Sequence, residues 1–122
     1  LRAAGLRVID TILTSYTEAI ANPTSFADPV KRKAMGQLMT LLNGALEARG
    51  KVLLKLNVAA DRRDEVLAVL PAAKSPTISQ LANGGFAIES VVDKRGINRI
   101  IPALTEAGAT DLLEIPISKI VH

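Results

Sequence analysis

The residues of this chain that are best suited to bind a ligand lie in the short segment Lys74-Ser75-Pro76-Thr77. Ser and Thr hydroxyls both donate and accept hydrogen bonds without bulk, which suits them to hold a small polar molecule. Pro76 fixes its own φ and biases Ser75 towards extended backbone. A structural turn is the commoner role of such a segment. The pattern therefore predicts either a turn or a hydroxyl-lined binding loop.

Composition excludes most other site chemistries. The 122 residues contain no Cys, and the single histidine is His122. This excludes disulfides and cysteine nucleophiles, and we expect neither a histidine-based metal site nor a Ser-His-Asp triad. Neither a Gly-x-Gly-x-x-Gly loop nor a Walker-type Gly-Lys-Ser/Thr loop occurs. The residues alone predict no catalytic residue and no metal ligand, and they favour a non-catalytic ligand-binding domain.

Charge and hydropathy favour neither a nucleic-acid nor a membrane partner. The net charge of +3 is mild, and no apolar run approaches the ~20 residues that cross a bilayer. No secretory signal is visible and Cys is missing, so we expect a cytoplasmic protein. Basic residues at two predicted helix starts (Arg62, Arg63, Lys94 and Arg95) would suit phosphate or RNA. However, Phe86 is the only aromatic residue after residue 50, which weakens the RNA interpretation.

Periodicity changes at residue 50 and indicates two parts. Residues 7–13 and 15–21 are rich in β-branched side chains and predict two strands. Asp28 and Pro29 predict the start of a long amphipathic helix, and Gly50 predicts its end. The first part of the chain is therefore expected to hold two strands and a long helix.

Residues 51–122 predict the element order β-α-β-β-α-β. The strands are expected at 52–58, 77–81, 86–92 and 112–117, and the helices at 61–70 and 94–107. This order is the ferredoxin-like arrangement, so the predicted fold class is α+β. Two right-handed crossovers place both helices on one face of the sheet. We expect a second copy of the chain to cover the other face, because apolar residues such as Leu53 cannot all point towards the helices.

Short motifs along the whole chain show a resemblance to a known family. They are Leu1-Arg2-Ala3-Ala4-Gly5-Leu6, Ile9-Asp10-Thr11-Ile12-Leu13, Ile20-Ala21-Asn22, Leu46-Glu47-Ala48-Arg49-Gly50-Lys51, Leu56-Asn57-Val58, Leu70-Pro71, Lys74-Ser75-Pro76-Thr77 and Ala107-Gly108-Ala109. Their order resembles the C-terminal part of the long form of ATP phosphoribosyltransferase, the enzyme that opens histidine biosynthesis. The resemblance implies that residues 1–50 are the end of the catalytic domain with a long connecting helix. It implies that residues 51–122 are an ACT-like regulatory domain.

The resemblance also implies an activity for the parent protein. That activity is transfer of a phosphoribosyl group from phosphoribosyl pyrophosphate to N1 of the adenine in ATP, with magnesium and with release of pyrophosphate. Feedback inhibition by L-histidine and a homo-oligomer, from dimer to hexamer, are implied as well. The family's Thr-Gly-x-Thr phosphate loop would precede Leu1, so we expect this piece alone to be inactive and to bind no cofactor.

The resemblance assigns six residues to the regulatory histidine site. Ser75 and Thr77 match hydroxyl contacts, and Ala73, Val91 and Asp111 match backbone or apolar contacts. Asn57 stands where some relatives carry Asp to hold the ammonium group of the ligand. Two other classes of function stay open on the residues alone. One is a free-standing ACT-like binding module in which residues 1–50 are an oligomerisation arm, and the other is a phosphate or RNA binder.

Overall fold

The computed structural model describes residues 4–71 and 75–122 of the chain. The chain divides into two compact units, Leu1–Met35 and Gly36–His122, and the division falls within a helix. Within the described ranges, no helix is both long enough and apolar enough to cross a membrane.

The long helix begins and ends at the residues that the sequence indicates. A short helix, α1 (Pro23–Ala27), precedes the long helix α2 (Pro29–Ala48). Asp28 Oδ1 accepts backbone N–H bonds from Val30 at 2.9 Å and Lys31 at 3.2 Å, which satisfies donors that the first helical turn leaves unpaired. Gly50, just after the helix, has a φ of 73° that other residues rarely adopt. Both predicted ends of this helix are confirmed.

The two strands predicted for residues 7–13 and 15–21 are wrong. No residue from 4 to 21 lies in a strand, and the apolar side chains there are exposed, with Ile12 at 100% and Ile20 at 93%. A strand needs a neighbour that pairs its backbone N–H and C=O groups. β-Branched residues favour strands where they pack on a half-buried sheet, and this segment has no such surroundings within the described residues.

The second unit contains the predicted β-α-β-β-α-β order. Its elements are β1 (Lys51–Val58), α3 (Arg63–Val69), β2 (Thr77–Gln80), β3 (Phe86–Asp93), α4 (Ile97–Glu106) and β4 (Ala109–Pro116). The strands lie in the order β2-β3-β1-β4, and every neighbouring pair is antiparallel. The α+β fold class with a ferredoxin-like, ACT-like domain is therefore confirmed. Pro102 lies inside α4, where it removes one backbone N–H from the helix.

The central strand β1 shows why the sheet has two unlike faces. Buried and half-buried residues alternate along all eight positions of β1, as the period of two in a strand requires. The buried set packs in one apolar core whose least exposed members come from both strands and helices: Leu54, Leu56, Val66, Ile88, Val92 and Leu104. The other set includes Leu53, Lys55 and Asn57, and we call the face that carries it the open face.

The β2–β3 hairpin is closed by the tight turn that Asn83-Gly84-Gly85 predicts. Gly84 has a φ of 84°, and Asn83 Oδ1 accepts the Gly85 N–H at 3.0 Å. Gly85 packs against β1, because a Cβ on it would lie 2.8 Å from the backbone oxygen of Val58. The turn thus fixes the hairpin against the carboxyl end of β1.

Candidate functional site

The strand register places the predicted hydroxyl residue Thr77 beside a carboxylate. Thr77 lies opposite Glu89, which in turn lies opposite Lys55, so these three side chains share the open face. Lys55 Nζ and Glu89 Oε1 form an ion pair at 2.9 Å. The same register pairs Leu53 with Val91. The amino end of β1 and the carboxyl end of β3 therefore form a floor with polar and apolar parts.

A cavity of about 470 Å³ lies over this floor, and we call it the hydroxyl cavity. It is lined by residues of β1, β2 and β3, of the end of α2 and of the C-terminal segment: Glu47, Lys51, Leu53, Ser75, Thr77, Glu89, Ser90, Val91, Ile120 and His122. Its volume lies in the range of small-molecule sites, which are mostly apolar with a few placed polar groups. The cavity is large enough for an amino acid.

Glu47 is the best-connected acid of the hydroxyl cavity. Lys51 Nζ donates to Glu47 Oε1, and His122 Nε2 lies 3.7 Å from the same oxygen. The hydrogen bond from Lys51, with the positive charge of that side chain, holds the pKa of Glu47 below its ordinary value. Glu47 therefore stays ionised in the neutral range and offers negative charge at one wall of the cavity.

The lining suits a small zwitterion. The hydroxyls of Ser75 and Thr77 can donate to a ligand carboxylate, and they bond to no other residue of the described ranges. Glu47 and Glu89 can accept from an ammonium group or a protonated ring. Lys51 and Lys55 already pair with these two carboxylates, which can each accept a further hydrogen bond, so the cavity can hold a ligand that carries a positive group.

A second cavity lies at the other end of β1, and we call it the amide–carboxylate cavity. It has a volume of about 490 Å³ and is lined by Asn57, Val58, Ala59, Ala60, Leu81, Asn83, Gly84, Gly85, Gly108, Thr110 and Asp111. Asn57 Nδ2 donates to Asp111 Oδ2 at 3.1 Å. Asp111 has a φ of 50°, beside the register shift of the β1–β4 pair between Lys55 and Asn57.

The six predicted histidine-site residues do not line one cavity in the described part of the chain. Ser75, Thr77 and Val91 line the hydroxyl cavity, whereas Asn57 and Asp111 line the amide–carboxylate cavity. Ala73, like Lys74 beside it, lies outside the described residues. The structure thus separates the predicted set into two groups at the two ends of β1.

Sequence reasoning missed several residues of the hydroxyl cavity, namely Glu47, Lys51, Glu89, Ile120 and His122. The pair Glu47 and Lys51 carried a usable signal, because opposite charges four residues apart at a helix end commonly meet. Ile120 and His122 carried none, since only the folded chain brings the C-terminal segment beside α2.

Two of the four basic residues considered for phosphate or RNA, Arg62 and Arg63, are engaged with other groups. Arg62 Nη2 lies 2.8 Å from Glu65 Oε2, and Arg63 Nε lies 3.0 Å from Asp64 Oδ1. The Arg63 guanidinium also sits over the Phe86 ring, 5.1 Å from its centroid. These contacts disfavour an anion site or a base-stacking surface here.

Comparison with known proteins decides the family. The family model described as "HisG, C-terminal domain" matches residues 48–119, more than half of the chain. The chain belongs to this family. The match contains most of both cavities, while Glu47 and the last residues of the C-terminal segment lie just outside it.

Curated proteins that are similar to this chain extend the match to nearly its whole length. The chain is 50% identical to the ATP phosphoribosyltransferase of Pelotomaculum thermopropionicum, 47% to that of Desulforudis audaxviator and 43% to that of Pelodictyon phaeoclathratiforme. Each comparison covers 99% of this chain but 42% of the relative, so the chain spans less than half the length of the curated relatives it matches. The resemblance predicted from the motifs is confirmed.

Proposed function

We propose that this chain is the regulatory C-terminal part of an ATP phosphoribosyltransferase and binds L-histidine in the hydroxyl cavity. The observation that carries the proposal is that Ser75 and Thr77 line the same cavity of about 470 Å³ as Glu47 and Glu89. L-Histidine has one carboxylate, one ammonium group and one ring that can protonate. The hydroxyls match the carboxylate, and the two acids match the cationic groups.

The floor of the cavity supplies the apolar contact for the ligand. Leu53 and Val91 lie opposite each other on the open face, and both line the cavity. The apolar surface of a ring that lies on these side chains is removed from water, while the ring nitrogens stay near the polar walls. This division of apolar floor and polar walls supports an aromatic amino acid with a polar ring.

The whole protein's activity is part of the same proposal. The relatives are named ATP phosphoribosyltransferase, which points to ATP and phosphoribosyl pyrophosphate as substrates of the parent protein. In this proposal magnesium belongs to the reaction of the parent protein, and we assign it to no residue of this chain. A phosphoribosyl-transfer assay on the 122-residue chain should show no turnover, and measurable turnover would contradict this part.

The open face supports association with a second copy of the chain. Leu113 and Ile115 on β4 are 52% and 38% exposed, and they lie opposite Lys55 and Leu53 of β1. This face combines apolar side chains with charged side chains of both signs, so a twofold partner could meet it with the same patch. Light scattering should show a dimer or larger oligomer, and the variant Leu113→Lys should have a lower average molar mass than the unmodified chain. A monomeric unmodified chain would contradict this proposal.

Calorimetric titration with L-histidine tests the central proposal. We expect binding in the micromolar to millimolar range. L-histidinol should bind more weakly, because it lacks the carboxylate that Ser75 and Thr77 would hold, while L-alanine should show little binding. Absence of heat with millimolar L-histidine would leave the free-standing binding module as the better hypothesis. If L-histidine binds, regulation of the parent enzyme requires a coupling free energy of about 1–3 kcal/mol between this site and the catalytic site.

A further inference from the structure

The last residues of the chain are fixed on the long helix α2. We call Ser118–His122 the C-terminal strap. The Ile120 N–H donates to the backbone oxygen of Gly44 at 2.9 Å. Gly44 and Ala48 are the buried residues of α2, so the strap lies on the part of the helix that belongs to the second unit.

Gly44 is small because the strap lies close to it. A Cβ at Gly44 would lie 3.0 Å from Val121 Cγ2 and 3.2 Å from the backbone oxygen of Ile120. Glycine inside a helix is unfavourable relative to alanine, so a buried helical glycine needs a packing reason. At Gly36, in the same helix, nothing lies within 4 Å of the corresponding Cβ position. The close approach is thus specific to Gly44.

The same strap forms one wall of the hydroxyl cavity. Ile120 and His122 both line it, and His122 Nε2 lies 3.7 Å from Glu47 Oε1. The Ile120 side chain adds apolar surface to the cavity, while its backbone N–H binds Gly44. A change at Gly44 should therefore reach the cavity through the C-terminal strap.

We propose that the C-terminal strap is a ligand-contacting wall of the hydroxyl cavity. Gly44 holds this wall in place, because the strap packs against it and binds its backbone oxygen. The inference rests on the proposed function, since it takes an amino acid with a cationic group as the ligand. Ile120 contacts the apolar part of the ligand. His122 and Lys51 keep the Glu47 carboxylate at the cavity wall, where it accepts from the ligand. Ligand binding and strap docking then stabilise each other.

The experiment compares the same substitution at two positions of α2. Gly44→Ala should lower the affinity for L-histidine by about fivefold to tenfold, which at 25 °C corresponds to roughly 1–1.4 kcal/mol. Gly36→Ala should leave the affinity within about twofold. Hydrogen exchange gives a second readout. The Ile120 amide hydrogen should be protected from exchange in the unmodified chain, and saturating L-histidine should slow its exchange further. In Gly44→Ala this protection should be lost.

A second variant keeps the test independent of helix stability. Ile120→Pro removes the N–H that binds Gly44 without altering α2, and it should weaken L-histidine binding to a similar extent. Unchanged affinity in both Gly44→Ala and Ile120→Pro would overturn this inference alone. Absence of L-histidine binding by the unmodified chain would overturn the proposed function as well, so the two failures are distinguishable.

Discussion

The two cavities at the ends of β1 have nearly the same volume, about 470 and 490 Å³, but they are built from different groups. The hydroxyl cavity is lined by charged and hydroxyl side chains from distant parts of the chain, including Glu47, Thr77 and His122. The amide–carboxylate cavity is lined mainly by small residues and turns, with Asn57 and Asp111 as its polar pair. Volume alone therefore does not tell which one is a ligand site.

The difference lies in which polar groups remain available to a ligand. Asp111 already accepts from Asn57 at 3.1 Å, so part of its capacity is used within the protein. The hydroxyls of Ser75 and Thr77 bond to no other residue of the described ranges, whereas the acids Glu47 and Glu89 are paired with Lys51 and Lys55. A ligand gains most where protein groups are placed but unsatisfied, because fewer internal bonds have to be broken. This favours the hydroxyl cavity.

The largest effect should come from removing both hydroxyls of the hydroxyl cavity. The double variant Ser75→Ala, Thr77→Val should lower L-histidine affinity by about 150-fold or more, since hydrogen bonds to charged groups contribute roughly 1.5–3 kcal/mol each. Both replacements remove only the hydroxyl function at similar volume. Calorimetric titration measures the change.

Ser79→Ala is the matched control for the double variant. Ser79 lies on the same strand as Thr77, is exposed and does not line the hydroxyl cavity. Its loss should leave the affinity unchanged. A double variant that binds like the unmodified chain would remove the hydroxyl cavity from consideration and favour the amide–carboxylate cavity.

The next largest effect should be a loss of stability from a substitution that alters only the amide–carboxylate cavity, which distinguishes the two cavities. Gly85→Ala places a Cβ where it would lie 2.8 Å from the Val58 backbone oxygen, so the hairpin must shift from β1. We expect a loss of about 1–3 kcal/mol in the free energy of unfolding, as for overpacked sites. Urea denaturation measures it, with Gly36→Ala as the control, because that position is open.

L-Histidine affinity should survive Gly85→Ala at temperatures where the variant is folded, since Gly85 lines only the amide–carboxylate cavity. Loss of affinity in step with stability would contradict the assignment of the ligand to the hydroxyl cavity.

The fold was accessible from the sequence because its signals are local. Strand periodicity, the Asp28 cap and the Asn83-Gly84-Gly85 turn each act within a few residues, and each predicted feature is present. Residues 7–21 carry a local strand signal too, but a strand also needs a neighbour, and local composition does not record one.

The lining of the hydroxyl cavity was only partly predictable from the sequence for the same reason. The loop hydroxyls were visible in the sequence, since Ser75 and Thr77 are close along the chain. Which partners they would meet depended on the strand register and on the path of the last residues, which bring Glu89 and His122 to the same cavity. Sequence spacing gave no measure of the separation of Asn57 from Thr77 across the sheet, so it did not indicate that these two residues line different cavities.

A smaller effect should follow from Asp111, which combines a hydrogen bond with strained backbone. Asp111→Ala removes the bond to Asn57 and keeps a φ of 50° that alanine tolerates less well than Asp. We expect a loss of about 1 kcal/mol in the free energy of unfolding. Asp111→Asn should change it by less than about 0.5 kcal/mol, because Asn can accept the same bond and adopts this φ readily.

Urea denaturation of both Asp111 variants measures these changes, and L-histidine titration completes the comparison. Affinity should be the same in both variants, since Asp111 does not line the hydroxyl cavity. A drop in affinity for Asp111→Ala as large as that of the double hydroxyl variant would show that the ligand reaches both cavities.

The smallest effect should be a pH signature that marks the hydroxyl cavity. The hydrogen bond and charge of Lys51 lower the pKa of Glu47 from its ordinary value of 4.5. A carboxylate with a lowered pKa binds fewer protons in the folded than in the unfolded state near that value. Its contribution to stability is therefore fully present above pH 4.5 and is lost as the pH falls through the lowered pKa.

Urea midpoints of the unmodified chain and Glu47→Gln, compared from about pH 7 to pH 3, measure this contribution. The unmodified chain should be slightly more stable at neutral pH, and the gap should close on acidification. Gln can still accept from Lys51, so the gap reports the charge rather than the hydrogen bond. Salt should narrow the neutral-pH gap, because both side chains are partly exposed. A gap that widens as the pH falls would mean that Glu47 is stabilised in its protonated form, and the hydroxyl cavity would then lack the fixed negative charge that a cationic ligand requires.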